Sequence, residues 1–191
     1  MGQIGFYYDQ SMCSGCKTCQ VACKDRNRLD VGVMLREVRS YQIGKYPDVS
    51  LYHFSAACNH CEAPACIVAC PTGAIEKQDD GTVTQDPEKC IGCQSCVKKC
   101  PYGVPRYDEA NGVSRKCDGC YDLRERGYQP ACVEACPYRA LDFGDVEELQ
   151  KRYPGELVHE MPAMGEGDTN PQTLIKARED AAAQLGVQIT L

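Results

Sequence analysis

The chain has no tryptophan and only three phenylalanines in 191 residues, so the large aromatic anchors of an ordinary domain core are scarce. Long apolar runs are missing too: no window approaches the roughly 18 residues of a membrane helix, so no direct membrane span is expected. Residues 1–10 carry neither a basic stretch nor an apolar one, so they do not read as a signal peptide. Positive charge is in deficit, 21 Lys and Arg against 27 Asp and Glu. The resulting net charge of −6 argues for no nucleic acid as a partner and for a solvated acidic surface. There is no phosphate-binding glycine loop, no dinucleotide fingerprint and no nucleophile–base–orienter set. The protein is therefore read as performing no bond chemistry by itself.

What the sequence has in excess is cysteine, 16 in all. They fall into four quartets with none left over: Cys13, Cys16, Cys19 and Cys23; Cys58, Cys61, Cys66 and Cys70; Cys90, Cys93, Cys96 and Cys100; Cys117, Cys120, Cys132 and Cys136. This is an internal repeat. Proline follows the last cysteine of three quartets, as Pro71, Pro101 and Pro137, and Lys24 takes that place in the first.

A C-x2-C-x2-C run wraps a tight loop around one face of a cuboid and presents three thiolates to three iron corners. The fourth cysteine, three residues on, sits on a turn leading away and reaches a second cuboid, as in two-cluster ferredoxins. Quartets two and three are adjacent and joined by a hairpin, so they pair, which leaves one and four to pair with each other. Four ligand sets follow: Cys58, Cys61, Cys66 with Cys100; Cys90, Cys93, Cys96 with Cys70; Cys13, Cys16, Cys19 with Cys136; and Cys117, Cys120, Cys132 with Cys23. Every position is filled, so the expectation is four 4Fe-4S clusters, with no vacant site for a 3Fe-4S species. A disulfide framework suits short secreted chains, and repeated x2 spacing pairs badly. Zinc accepts four thiolates, but its ribbons leave a third cysteine at x2 and a fourth at x3 unexplained.

The expected fold class is α+β: two interleaved bacterial-ferredoxin-like two-cluster modules with short strands and helices, plus a C-terminal helical tail. Residues 1–50 with 103–148 form the first module, 51–102 the second, and 149–191 the extension. Strands are expected at 3–9 and 140–144, pairing with each other, and hairpins at 74–77/82–85 and 105–108/113–116. Helical turns are expected at 18–24 and 95–99. In the extension, Asp145 caps a helix to Tyr153, and Asn170-Pro171 opens another that runs to Leu185 before Gly186. Lys98, Lys99, Arg115 and Lys116 lie beside ligands in sequence and are candidates for raising a cluster's potential, against the plainer reading of solvent-facing charges. His60, inside the loop between Cys58 and Cys61, is read either as a hydrogen-bonding neighbour of a cluster or as a satisfied loop residue, and His53 as isolated.

The flanking residues carry a resemblance. Cys13-Ser14-Gly15-Cys16-Lys17-Thr18-Cys19, Cys58-Asn59-His60-Cys61, Cys70-Pro71-Thr72-Gly73-Ala74, Cys90-Ile91-Gly92-Cys93, Cys100-Pro101-Tyr102-Gly103, Lys116-Cys117-Asp118-Gly119-Cys120 and Cys136-Pro137-Tyr138-Arg139-Ala140-Leu141 resemble the iron–sulfur B subunits of the dimethyl sulfoxide reductase family over residues 3–148. The resemblance implies a non-catalytic electron-transfer subunit. Its partners are a large molybdenum or tungsten bis-pterin catalytic subunit and a membrane anchor or quinol-oxidising subunit. It implies membrane association through those partners, either on the cytoplasmic side or exported folded with the catalytic subunit. It also implies that the cluster of the first quartet lies nearest the catalytic subunit. Some relatives replace a ligand in the third quartet; Cys93 is kept here. The C-terminal membrane helix of the formate dehydrogenase relatives is not seen. The alternative is a free-standing polyferredoxin serving a hydrogenase or another redox partner.

Overall fold

A computed structural model describes residues 2–190. In chain order it contains β1 (Ile4–Asp9), α1 (Thr18–Arg26), β2 (Glu37–Lys45), β3 (Asp48–Ala56), α2 (Ala65–Val68), β4 (Ile75–Lys77), β5 (Val83–Gln85), α3 (Ser95–Lys99), β6 (Arg106–Asp108), β7 (Val113–Arg115), α4 (Tyr121–Glu125), α5 (Ala131–Glu134), β8 (Leu141–Asp145), α6 (Val146–Arg152), β9 (Leu174–Lys176), α7 (Glu179–Ala183) and β10 (Val187–Ile189). Short helices mixed with small sheets make this an α+β protein. Among the described residues no helix is long and apolar enough to cross a membrane.

The central strand is β1, sandwiched between β8 and β9. It runs antiparallel to β8, with Phe6 opposite Phe143 and Tyr8 opposite Leu141, and parallel to β9, with Tyr8 beside Ile175. The period of two sends Phe6 and Tyr8 into the main core, while Tyr7 faces the other way onto Val146, Leu149 and Leu174. Asp145 caps α6 by accepting from the backbone N–H groups of Glu147 and Glu148 at 3.0 and 3.2 Å. Tyr153, at the end of that helix, stacks on Tyr7 with ring centroids 3.8 Å apart. The two short hairpins, β4–β5 and β6–β7, form within a residue of their expected bounds.

Two elements differ from expectation. The longest hairpin, β2–β3, pairs Glu37 with Ala56 through to Lys45 with Asp48, in a stretch that the cysteine pattern leaves unassigned. Its strands interleave Val38, Tyr41, Tyr52 and Phe54 with Arg39, Ser40, His53 and Ser55, so apolar alternation is weak, and several of the polar residues are themselves buried.

The second difference is the tail. No helix runs from Asn170 to Leu185; the segment holds β9, the five-residue α7 and β10, which pairs with β2. Asn170 takes a left-handed φ of 49° rather than the extended conformation of an N-cap. The nearby backbone groups are already engaged: Glu62 N–H donates to Asn170, Ala63 N–H to Thr169, and Gln172 N–H to the carbonyl of Asn59. Leu174 and Ile175 are wholly buried. The C-terminal helical tail of the sequence reading is thus corrected to an arm that adds strands to two sheets.

Replacing Ile175 by Ala removes buried methyl groups from the β1–β9 seam and is expected to cost about 2–5 kcal/mol. The urea midpoint followed by circular dichroism should fall at full iron content, whereas Leu185→Ala, at an exposed position, should leave it in place. Equal midpoints would mean that the arm is only loosely applied.

Candidate metal centre

Each quartet begins with a turn that presents its sulfurs to one side. Gly15, Gly92 and Gly119 occupy the position before the second cysteine of quartets one, three and four, at φ of 72°, 69° and 68°. In quartet two the same place is taken by His60, at φ 43°. Lys17 and Gln94, which lie between the second and third cysteines, are left-handed as well and lead into α1 and α3. Alternating right- and left-handed residues turn successive backbone N–H groups inward, which makes a concavity suited to anions such as thiolate sulfur. At the other end of three quartets a Cys-Pro-x-x turn closes from N–H to the cysteine carbonyl: Gly73 to Cys70, Gly103 to Cys100, and Arg139 to Cys136. Proline presets the φ this turn needs.

Two open-mouthed cavities lie among the sulfurs. One, about 370 Å³ including its mouth, is lined by Cys58, Cys61, Cys66 and Cys100, with Tyr102, Lys116 and Thr169. The other, about 330 Å³, is lined by Cys13, Cys16, Cys19 and Cys136, with Ser55 and Tyr8. Each takes three cysteines from one quartet and the last cysteine of another. Cys23 lies within electrostatic reach of Cys120 and Cys132, and Cys93 within reach of Cys70. Helix α1 packs on α5, and α2 on α3.

The donor chemistry fits iron–sulfur clusters. Burial pushes the Cys23 and Cys66 thiols up to about 12 and those of Cys61 and Cys120 up to about 11. Groups this reluctant to ionise would be thiolates at neutral pH only when coordinated to a metal. The exposed sulfurs are supported differently. Cys16 lies 3.3 Å from the Thr18 hydroxyl and Cys93 3.4 Å from that of Ser95, and these hydrogen bonds lower both thiols. For Cys70, burial opposes ionisation, but the Thr72 hydroxyl and the Ala74 N–H at 3.3 Å outweigh it.

Further groups reach sulfur from outside the cysteine loops. Thr169, on the C-terminal arm, has its hydroxyl 3.1 Å from both Cys61 Sγ and the Tyr102 hydroxyl, and Tyr102 donates to Glu160. The single Thr169 proton serves one acceptor at a time. Asn27 Nδ2 lies 3.6 Å from Cys23 Sγ. The hydroxyl–sulfur pairs two residues apart are readable from sequence, because Thr18, Thr72 and Ser95 each follow a cysteine by two. Asn27 follows Cys23 by one helical turn, which is also a local signal, whereas nothing local announces Ser55 or Thr169.

Of the basic residues beside the ligands, Lys98 and Lys99 are exposed, as the plainer reading has it. Arg115 is half-buried and pairs with Asp108 at 3.7 Å. Lys116 differs: its ammonium is buried, donates to the carbonyls of Val83 and Cys117, and sits among the sulfurs of Cys58, Cys66 and Cys117. His60 is fully buried, and its Nδ1 accepts from Val83 N–H at 2.9 Å, which assigns the proton to Nε2. Burial, then the nearby Lys116, hold it well below the usual histidine range, so it is neutral. His53 is buried against the Ser40 hydroxyl at 2.9 Å.

A family model described as a 4Fe-4S dicluster domain matches residues 49–146, and one described as a 4Fe-4S binding domain matches residues 10–28. The sequence is 46% identical over 182 residues to the B component of the anaerobic dimethyl sulfoxide reductase of Escherichia coli K12, covering 91% of this protein and 88% of that one. It is 42% identical over 190 residues to the corresponding component of the Haemophilus influenzae enzyme, covering 95% and 92%. It is 38% identical over 170 residues to the B component of the sulfite dehydrogenase of Allochromatium vinosum, covering 78% and 71%.

Proposed function

Because the protein belongs to the family of iron–sulfur B subunits of dimethyl sulfoxide reductase-type complexes, and so is an electron-transfer subunit that binds multiple 4Fe-4S clusters, we propose that it holds four of them as a relay. The relay runs between a membrane quinol site or another donor and a molybdopterin catalytic subunit. Each quartet supplies three sulfurs to one cluster and its last sulfur to a sister cluster, giving the four ligand sets named above. The observation that carries this is the lining of the two cavities: Cys100 joins Cys58, Cys61 and Cys66, and Cys136 joins Cys13, Cys16 and Cys19. The packing of α1 on α5 and of α2 on α3 supports two interleaved modules, residues 1–50 with 103–148 and residues 51–102, with 149–191 as an applied arm.

A 4Fe-4S cluster supplies a one-electron couple that changes shape little on reduction. The protein's part is to fix the sulfurs, exclude water from the inner cradles and set the local charge. Cys13, Cys61, Cys90 and Cys100 are partly open and Cys16 and Cys93 exposed, while Cys23, Cys117, Cys120 and Cys132 are buried. This gradient suits a wire with accessible ends and a shielded middle. The substrate is then chosen by the catalytic partner, and membrane association comes through a partner as well.

Iron and acid-labile sulfide should each approach about sixteen per chain, and the protein should co-purify with a large pterin-containing subunit. Cys93→Ser should alter the cluster of Cys90, Cys96 and Cys70, with a 3Fe-4S species visible by electron paramagnetic resonance. Unchanged iron and an unchanged spectrum in that variant would make the ligand set wrong. Purification as a lone chain that reduces a hydrogenase would favour the free-standing alternative.

A further inference from the structure

Arg36 is the charged side chain in this protein least well accounted for by its protein contacts. It precedes β2, is only 3% exposed, and has no carboxylate partner among the described residues. Its Nη1 donates to the Ser55 carbonyl at 3.2 Å and the Ser55 hydroxyl at 3.0 Å. Its Nε and Nη2 are buried without any acceptor among the described residues. The guanidinium lies over the Phe6 ring, 4.5 Å from its centroid. An arginine is charged at every accessible pH, and a buried charge without a counter-charge is strongly unfavourable. Something anionic must therefore stand nearby, and the groups within electrostatic reach are the sulfurs of Cys132, Cys19, Cys117 and Cys23.

The link to one of these sulfurs is explicit. The Ser55 oxygen accepts from Arg36, so its own proton is free for Cys19 Sγ, 3.5 Å away. Arg36 also shares a small cavity with Phe6, Tyr8 and Ser55 beside the first quartet's cradle, and α1, which carries Cys19 and Cys23, packs on α5, which carries Cys132, so the first and fourth quartets meet on this side of the core. The β2–β3 hairpin makes this arrangement: Val38 pairs with Ser55, so the residue two before Val38 falls beside the Ser55 side chain.

Resting on the reading that these cradles hold clusters, we propose that Arg36 is the fixed cation of the relay's interior, a positioning residue that favours the reduced state of the clusters at Cys13/Cys16/Cys19/Cys136 and Cys117/Cys120/Cys132/Cys23. A thiolate-ligated cluster becomes more negative by one charge on reduction, and a buried cation at short range stabilises that state more than the oxidised one. Ser55 transmits part of the effect to the first cluster alone, as a hydroxyl donor to a ligand sulfur.

The test is a redox titration followed by electron paramagnetic resonance on the assembled, iron-replete protein. Arg36→Met should lower the potentials of two signals, each by about tenfold in the reduction equilibrium, ~59 mV for one electron. Arg36→Lys should restore much of that shift. Ser55→Ala should lower one signal only, the one that Cys16→Ser disturbs. Unchanged potentials in Arg36→Met at full iron content would overturn the proposal. If Arg36→Met fails to load iron, Arg36→Gln decides, since it is neutral yet keeps a donor for the Ser55 carbonyl: unchanged potentials in that variant at full iron content would equally overturn the proposal. If Cys16→Ser and Cys136→Ser disturb different signals, the cradle grouping beneath the proposal fails instead.

Discussion

Cys136→Ala is expected to cost the cluster at Cys13, Cys16 and Cys19, not the one at its own quartet's Cys117, Cys120 and Cys132. About four irons per chain should disappear, or about one if a 3Fe-4S remnant persists. The reasoning is geometric: Cys136 lines the cavity of the first quartet, and the Pro137 turn carries it out of the loop that holds its own three partners. Cys23→Ala, the reciprocal change, should instead disturb the cluster of quartet four. Iron analysis with paramagnetic resonance distinguishes the two variants, since they should lack different signals. If Cys136→Ala instead lost the signal that Cys120→Ser disturbs, and Cys23→Ala the one that Cys16→Ser disturbs, each quartet would be self-contained.

Stripping iron from the whole protein should unfold it rather than leave an empty shell. The core explains why. The small cluster under β4 and β5 consists of Cys66, Ile75, Val83 and Cys96, so half its buried members are cysteines. The main core includes Cys19, Cys23, Cys58, Cys117, Cys132 and Cys136, six of its 26 buried members among the described residues. The remaining apolar residues of that core, Phe6, Tyr8, Phe54 and Phe143 among them, are packed against these cysteines and lose that support when the cradles empty. Structural zinc in zinc-finger peptides contributes about 10–16 kcal/mol, which sets the scale for a four-thiolate site and is as much as the about 5–15 kcal/mol net stability of a typical domain. Losing several such sites therefore exceeds what the rest of the fold supplies. After chelation under oxidising conditions, near-ultraviolet circular dichroism should vanish and amide exchange should become fast even in β1, β8 and β9. Slow exchange persisting in β1 of the iron-free protein would show a self-sufficient core and refute this account.

Much of the local architecture was legible because it depends on residues within a few positions of each other. The Asp145 cap and the hairpins tipped by Asn111-Gly112 and Asp80-Gly81 follow from short-range rules of backbone conformation, and each formed near its expected place. The tail went otherwise. Asn170-Pro171 carries a good helix-start signal, yet burial of Leu174 and Ile175 beside β1, and the pairing of residues 169–172 with the loop around Cys61, outweigh a preference worth only tenths of a kcal/mol per residue. The β2–β3 hairpin was hidden for the opposite reason. Its buried faces carry serines, a histidine and an arginine's hydrogen-bond partners, which break the apolar alternation that announces a strand.

The sequence alone determined the chemistry: sixteen thiols in four quartets, each opening on a two-residue and closing on a three-residue interval, set the loop conformations that turn sulfur and N–H groups the same way, and such intervals act within hydrogen-bonding range. Only the tertiary structure decided what surrounds those sulfurs. Arg36 and Ser55 come together through a strand register, Thr169 reaches Cys61 from the far end of the chain, and Lys116 is buried while Lys98 and Lys99 are not. Desolvation and charge proximity depend on how distant segments pack, and no spacing between neighbours in the chain encodes that.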